Sequence, residues 1–253
     1  MDAPDAPDAP ATPDPPDTPE VAPRWGLVEP VCGFVAAAFA AATGAAIAAV
    51  ATGAELDELS LATTAAGLAG MWGAYLLTWR VTSNRRGSGR PVEDIGLHIS
   101  GWKDVGLGAL AGLVTTFVLV NFVYAVLEAV GVIGSGDLDR LDDPARELGD
   151  LAHGASFLVL VLLVGIGAPI VEEIFFRGLL QPAAVRRFGP VGGVMFTAVF
   201  FGAAHLQALQ FPALAVFGLV LGTLAHRTGR LGPGIVAHIV FNGITLAALA
   251  AAT

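Results

Sequence analysis

Charged side chains are scarce in this sequence, which argues against a soluble globular protein. Asp, Glu, Lys and Arg make up 14% of the 253 residues, whereas soluble domains contain roughly 25%. With so few charges, most of the molecular surface must face something other than water. The basic residues form no stripe outside short loops, so we expect no nucleic-acid partner.

Cysteine and alternating sequence patterns are also largely missing. The single cysteine, Cys32, excludes an intramolecular disulfide, and we expect it to be a small buried residue in the first apolar run. The apolar stretches are continuous rather than alternating and are rich in Ala, Gly and Leu. This pattern argues against a β-barrel.

Long apolar runs are what the sequence has instead. Several approach or exceed the roughly 20 residues that a helix needs to cross a bilayer. Lipid offers the backbone no hydrogen-bond partners, so these runs must be helical. We therefore predict an all-α fold, a polytopic integral membrane helical bundle with about seven transmembrane helices. The predicted spans are 27–53, 60–82, 104–133, 155–187, 190–210, 212–228 and 231–252.

Three parts are predicted along the chain. Residues 1–23 contain three Asp-Ala-Pro repeats, and this composition is typical of a disordered Pro/Asp-rich tail. Residues 24–133 are predicted to form N-terminal transmembrane helices, and residues 134–253 a catalytic transmembrane core.

The distribution of basic residues predicts the orientation. With a cytoplasmic N-terminus and an outer C-terminus, only Arg140 and Arg146 of the 13 Lys and Arg residues lie outside. This asymmetry follows the positive-inside rule. The Ala/Gly/Arg-rich composition and the lack of eukaryotic targeting signals indicate a multi-pass protein of the bacterial inner (plasma) membrane.

Ionisable and amide side chains inside the last four predicted spans are the main candidates for function, because such groups are costly in a membrane. Glu173 and Arg177 are four residues apart and can form an ion pair on one helix face. Glu172 is rotated by about 100° and is the freer carboxylate. The candidate site consists of Glu172, Glu173, Arg177, His205, His238 and Asn242.

A predicted hairpin brings part of this set to one depth. The fourth and fifth spans should turn at Gly189–Pro190, with Glu172 lying 17 residues before Gly189 and His205 lying 16 residues after it. In an antiparallel helical hairpin, these two side chains reach similar levels. His238 lies only 9 residues beyond the polar turn at Gly229, so its level agrees only if the hairpin protrudes further from the membrane.

Two carboxylates, two imidazoles and an amide can activate a water molecule by general-base or metal assistance, and can stabilise an oxyanion. Peptide-bond hydrolysis is the reaction class that we predict. The sequence contains neither HExxH nor GxSxG. A proton- or ion-coupled transporter uses the same residue types, but no inverted repeat is evident. Interhelical polar contacts without catalysis are a further alternative.

Three ordered motifs resemble those of the CPBP intramembrane proteases, which include CAAX prenyl endopeptidases of the Rce1 type and bacteriocin-processing or self-immunity proteins. The run from Glu172 to Arg177 matches EExxxR, Phe201 to His205 matches FxxxH, and His238 to Asn242 matches HxxxN. The resemblance covers about residues 150–250.

This resemblance implies an intramembrane endopeptidase acting on a peptide or protein substrate. It implies that Glu172 and His205 activate water, that His238 and Asn242 stabilise the oxyanion, and that Glu173 and Arg177 support them. It further implies either a Zn²⁺ ion held by Glu172, His205 and His238, or a metal-free glutamate mechanism. A non-catalytic peptide-binding or immunity scaffold is the remaining alternative. In a bacterial membrane we do not expect prenylated substrates.

Overall fold

The computed structural model describes residues 25–55, 60–151 and 154–252, and these residues form helices, turns and loops without any β-strand. The all-α prediction is therefore confirmed for the described ranges, whereas the predicted tail 1–23 lies outside them. The helices are α1 (Val28–Thr52), α2 (Leu61–Arg86), α3 (Pro91–Asp94), α4 (Trp102–Ala129), α5 (Ser135–Leu138), α6 (Asp143–Asp150), α7 (155–188), α8 (190–204), α9 (Phe211–Thr228) and α10 (Gly232–Ala252).

The membrane character of the bundle is confirmed. Within the described ranges, 5 helical segments are long and apolar enough to cross a membrane, namely α1, α4, the stretch Ser156–Ala204, α9 and most of α10. Large apolar side chains such as Phe39 and Val50 are exposed on the outside of the bundle, where lipid would lie. The predicted count of seven is not confirmed, because α2 is 26 residues long but carries Thr, Gly, Trp, Tyr and Arg along its length.

Ser156–Ala204 contains the predicted hairpin. A continuous helix of its 49 residues would be about 74 Å long, more than twice the hydrocarbon thickness of a bilayer. The chain leaves helical geometry at Gly189 (φ 76°, ψ 171°), which an L side chain rarely adopts, and Pro190 follows. Phe188 then lies against Phe196 with ring centroids 5.3 Å apart. The prediction that α7 and α8 fold back on each other is confirmed.

Two wide π-helical stretches interrupt α7, at Val161–Gly167 and Glu173–Leu180. Each ends shortly before a proline, Pro169 or Pro182. Proline lacks an amide hydrogen and clashes with the preceding turn, so a widened turn in front of it has a physical cause. The second stretch begins at Glu173, and π-helical turns frequently occur at functional sites.

Small residues let the helices of the core approach closely. A Cβ atom added at Gly218 of α9 would lie 3.0 Å from the Cα atom of Ala198 in α8. One added at Gly222 would lie 2.6 Å from Oε1 of Gln181 in α7. Gly218 and Gly222, four residues apart, thus allow α9 to pack closely on α7 and α8.

The N-terminal helices are fixed to the core at specific points. The buried indole of Trp25 donates a hydrogen bond of 2.9 Å to the carbonyl of Leu179 in α7. Near the start of α4, the Arg230 guanidinium binds Asp104 at 2.7 and 3.1 Å. The expectation for Cys32 is wrong, because this residue is exposed on α1. In a membrane helix an apolar face can point to lipid, so an apolar run does not imply burial in protein.

Candidate active site

A buried ion pair forms the centre of the site. Arg177 Nη1 lies 3.2 Å from Glu173 Oε1, and both side chains have 0% exposure. Nη2 of Arg177 also donates to the carbonyl of Gly218 at 3.2 Å. The guanidinium lies 4.4 Å from the centroid of the Phe201 ring, which adds a cation–π contact. The predicted pairing of Glu173 with Arg177 is confirmed, although Glu173 begins a π-helical rather than an α-helical stretch.

His238 of α10 joins both glutamates. Its Nδ1 lies 3.3 Å from Glu173 Oε1, and its Nε2 lies 3.9 Å from Glu172 Oε2. A carboxylate paired with arginine can only accept a hydrogen bond, so Nδ1 carries the proton and donates it to Glu173. In the neutral ring this leaves Nε2 facing Glu172. The rings of Phe201 and Phe217 lie 5.8 and 5.1 Å from the imidazole and restrict its rotation.

Glu172 is the less engaged of the two glutamates. Its side chain is 14% exposed, and Oε2 is buried without a hydrogen-bond partner in the described part of the chain. The ion pair with Arg177 belongs to Glu173 instead. This arrangement agrees with the prediction that Glu172 is the freer carboxylate.

His205 and Asn242 stand apart from this cluster. Nδ1 of His205 lies 2.8 Å from the carbonyl oxygen of Phe201, and the ring packs against the Phe201 ring at 4.8 Å. Asn242 donates from Nδ2 to the carbonyl of Val164 at 2.8 Å. The structure therefore brings together Glu172, Glu173, Arg177 and His238, with His205 on the Phe201 ring and Asn242 bonded to the first π-helical stretch of α7.

The predicted zinc ligands do not form a three-ligand site in this arrangement. Glu172 and His238 approach each other, but within the described ranges no group of three or more His, Cys, Asp or Glu residues could hold a metal ion. A catalytic zinc ion needs three protein ligands about 2 Å from the metal. We therefore derive no chemical step through a metal.

Several residues that shape the site were not identified from the sequence. Phe217 packs on His238, and Val164 accepts the hydrogen bond from Asn242. Tyr75 of α2 stacks on Phe175, with ring centroids 3.9 Å apart. These partners lie on different helices, so no spacing within one segment indicates them.

Comparison with known families points to the same segment. Residues 154–244 match the family model described as Rce1-like, type II CAAX prenyl endopeptidase Rce1-like. The core segment is therefore similar to this family over about a third of the chain. The match includes all six predicted site residues and confirms the resemblance inferred from the three motifs. Helices α1, α2 and α4 lie outside the Rce1-like segment. Searches of the curated proteins and of the solved structures find no match to this chain.

Proposed function

We propose that this protein is an intramembrane endopeptidase in which Glu172 acts as the general base on a water molecule. The Rce1-like match supports the reaction class, because its description names an endopeptidase. The geometry around Glu172 supports the choice of base. The proposed substrate is a peptide or membrane-associated protein segment without a prenyl group.

The observation that carries the proposal is the environment of Glu172 Oε2. This atom is buried, lacks a hydrogen-bond partner among the described residues, and lies 3.9 Å from Nε2 of His238. The separation is too long for a direct hydrogen bond, and a water beside the two atoms can bond to both. Such a water is oriented by an acceptor that can remove its proton.

The remaining residues complete a hydrolytic cycle. The water oxygen attacks the carbonyl carbon while its proton passes to Glu172, and the same proton then goes to the leaving amine as the C–N bond breaks. Glu173 orients His238 through Nδ1, and Arg177 pairs with Glu173 at 3.2 Å. Asn242 retains a second amide N–H, which can donate a hydrogen bond to the oxyanion.

We propose that His205 assists water activation, as the resemblance of the three motifs implies. Its Nδ1 is engaged by the Phe201 carbonyl, so its Nε2 is the nitrogen available to the site. Of the two imidazoles, the distances favour His238 as the immediate partner of Glu172. We also propose that the protein lies in the bacterial inner membrane with its N-terminus in the cytoplasm.

The decisive experiment compares peptide-library cleavage by the purified wild type with cleavage by Glu172→Gln. We expect the substitution to abolish the activity, because glutamine has nearly the same shape but cannot accept the proton. Glu128→Gln is the matched control, since Glu128 is an exposed residue of α4 outside the site. Cleavage that survives Glu172→Gln would rule out Glu172 as the base.

Two further measurements separate the alternatives. Metal analysis and chelator treatment of the active protein test the zinc requirement, and an unchanged rate with no bound metal supports the glutamate mechanism. Proton flux in proteoliposomes tests the transporter alternative. Flux that depends on Glu172, in a protein without peptidase activity, would favour transport.

A further inference from the structure

An apolar cavity lies between the N-terminal helices and the catalytic hairpin. Its volume is about 330 Å³, and it is lined from α1 by Phe34 and Ala38, from α2 by Met71 and Tyr75, and from the end of α8 by residues that include Ala204. An apolar cavity of about 150 Å³ is enough to hold benzene and stays dry. This space, which we call the Tyr75 cavity, can therefore hold an apolar group larger than an aromatic ring.

Residues of the Tyr75 cavity are close along the chain, or through a ring contact, to two candidate catalytic residues that do not themselves line it. The Tyr75 ring stacks on Phe175 at 3.9 Å, and Phe175 lies three residues after Glu172. Ala204, which also lines the cavity, immediately precedes His205. A group bound in the cavity would thus lie beside the position where a scissile peptide bond must reach Glu172.

The far rim of the cavity is formed by Leu206. Its backbone is in the left-handed region (φ 56°), which non-glycine residues rarely adopt. Its side chain is 92% exposed and lines the cavity. The chain turns sharply here, directly after His205, and leaves an apolar side chain at the cavity mouth.

Tyr75 supplies the polar side chain of this lining. The residue as a whole is 3% exposed and lines the cavity, and its hydroxyl is not among the fully buried polar atoms of the described ranges that lack a partner. A ligand carbonyl in the cavity could accept a hydrogen bond from this hydroxyl. The cavity thus offers a large apolar volume and one directional donor, which is the combination typical of small-ligand sites.

We propose that the Tyr75 cavity binds an apolar side chain next to the scissile bond of the peptide substrate, and that the Tyr75 hydroxyl donates a hydrogen bond to the substrate backbone. The inference rests on the proposed peptidase function. It assigns part of the specificity to α1 and α2, which lie outside the Rce1-like segment.

Filling the cavity tests the apolar subsite. Ala38→Phe places an aromatic ring in the space from α1, away from the catalytic groups. We expect the preference for Leu or Phe over Ala at one position beside the cleaved bond to fall at least about tenfold, as pocket discrimination between apolar groups allows. Ala36→Phe is the matched control, because Ala36 is exposed on the same helix and does not line the cavity. An unchanged preference in Ala38→Phe would overturn the proposal.

Removing the hydroxyl tests the hydrogen bond. Tyr75→Phe keeps the stack on Phe175, and we expect KM to rise about fivefold, as loss of one neutral hydrogen bond implies, with kcat and side-chain preference unchanged. Tyr124→Phe is the control, since the other tyrosine of the chain bonds to the Leu209 carbonyl at 2.9 Å. Equal effects of the two substitutions would contradict a role in substrate binding.

Photo-cross-linking tests occupancy without requiring catalysis. The probe is an acetylated, amidated pentapeptide with p-benzoylphenylalanine between two alanine pairs, added to the Glu172→Gln protein. We expect adducts at Met71 and Phe200, competed by the corresponding leucine peptide and not by the aspartate peptide. Adducts elsewhere, or adducts in detergent that disappear in lipid nanodiscs, would refute a peptide subsite, the second result indicating lipid as occupant. Adducts in the cavity, together with a wild-type protein that cleaves no peptide, would refute the proposed function but not the binding site.

Discussion

The buried pair of Glu173 and Arg177 allows a quantitative test of how the site is held together. Arg177→Met keeps much of the side-chain volume but removes the charge. Glu173 would then be buried at 0% exposure without a cationic partner, and breaking a buried ion pair in this way costs about 3–5 kcal/mol. The same substitution also removes the hydrogen bond to the Gly218 carbonyl and the contact with the Phe201 ring. We therefore expect the free energy of unfolding to decrease by an amount in the upper part of that range.

The assay is reversible unfolding of the purified protein in detergent, measured for a double-mutant cycle. If the uncompensated charge causes the loss, Glu173→Met together with Arg177→Met should recover most of it, because replacing a whole buried pair by apolar residues is often neutral. Arg90→Met is the control, since the Arg90 to Glu93 pair is 71% and 62% exposed and should contribute less than about 1 kcal/mol. A double mutant that is no more stable than Arg177→Met alone would refute the reasoning.

Two further predictions concern the loops. In a protein whose Cys32 is replaced by serine, we expect a membrane-impermeant maleimide to label Gly136→Cys but not Ser88→Cys in intact cells, and the reverse pattern would invert the orientation. Burial alone would raise the pKa of Asp94, but hydrogen bonds from Ser83 and Ser88 and the charge of Arg90 hold this pKa below its usual value. The stability that Asp94 contributes is therefore present above the unfolded pKa of about 3.9 and is lost as pH falls through the lower folded pKa. As the pH falls through that acidic range, the Tm of the wild type should decrease. Asp94→Asn should remove the part of this decrease that comes from Asp94.

Contacts within one helical segment could be predicted from the sequence. Glu173 and Arg177 are four residues apart, and this spacing fixes their proximity whether the turn is α-helical or slightly wider. The reversal at Gly189–Pro190 was predictable for the same reason, because the backbone preferences of glycine and proline act locally. The triad of motifs likewise identified the segment that matches the Rce1-like family.

Contacts between helices could not be predicted in this way. The numbers of residues from Gly189 to Glu172 and to His205 predicted a similar depth for these two residues. Depth, however, does not specify how each helix is rotated about its axis. Glu172 approaches His238, whereas His205 packs on Phe201. Cys32 illustrates the same limitation, since its helix was predicted and its exposed face was not.

The sequence by itself determined that this chain is a helical membrane protein with its ionisable groups concentrated in the last helices. The reason is that lipid leaves backbone groups no partner outside a helix and makes buried charge costly enough to stand out. Only the tertiary structure decided that His238 joins both glutamates, that Asn242 bonds to Val164, and that Tyr75 lines a cavity beside the site. These contacts depend on the rotation and close approach of separate helices, which glycines such as Gly218 permit but do not specify.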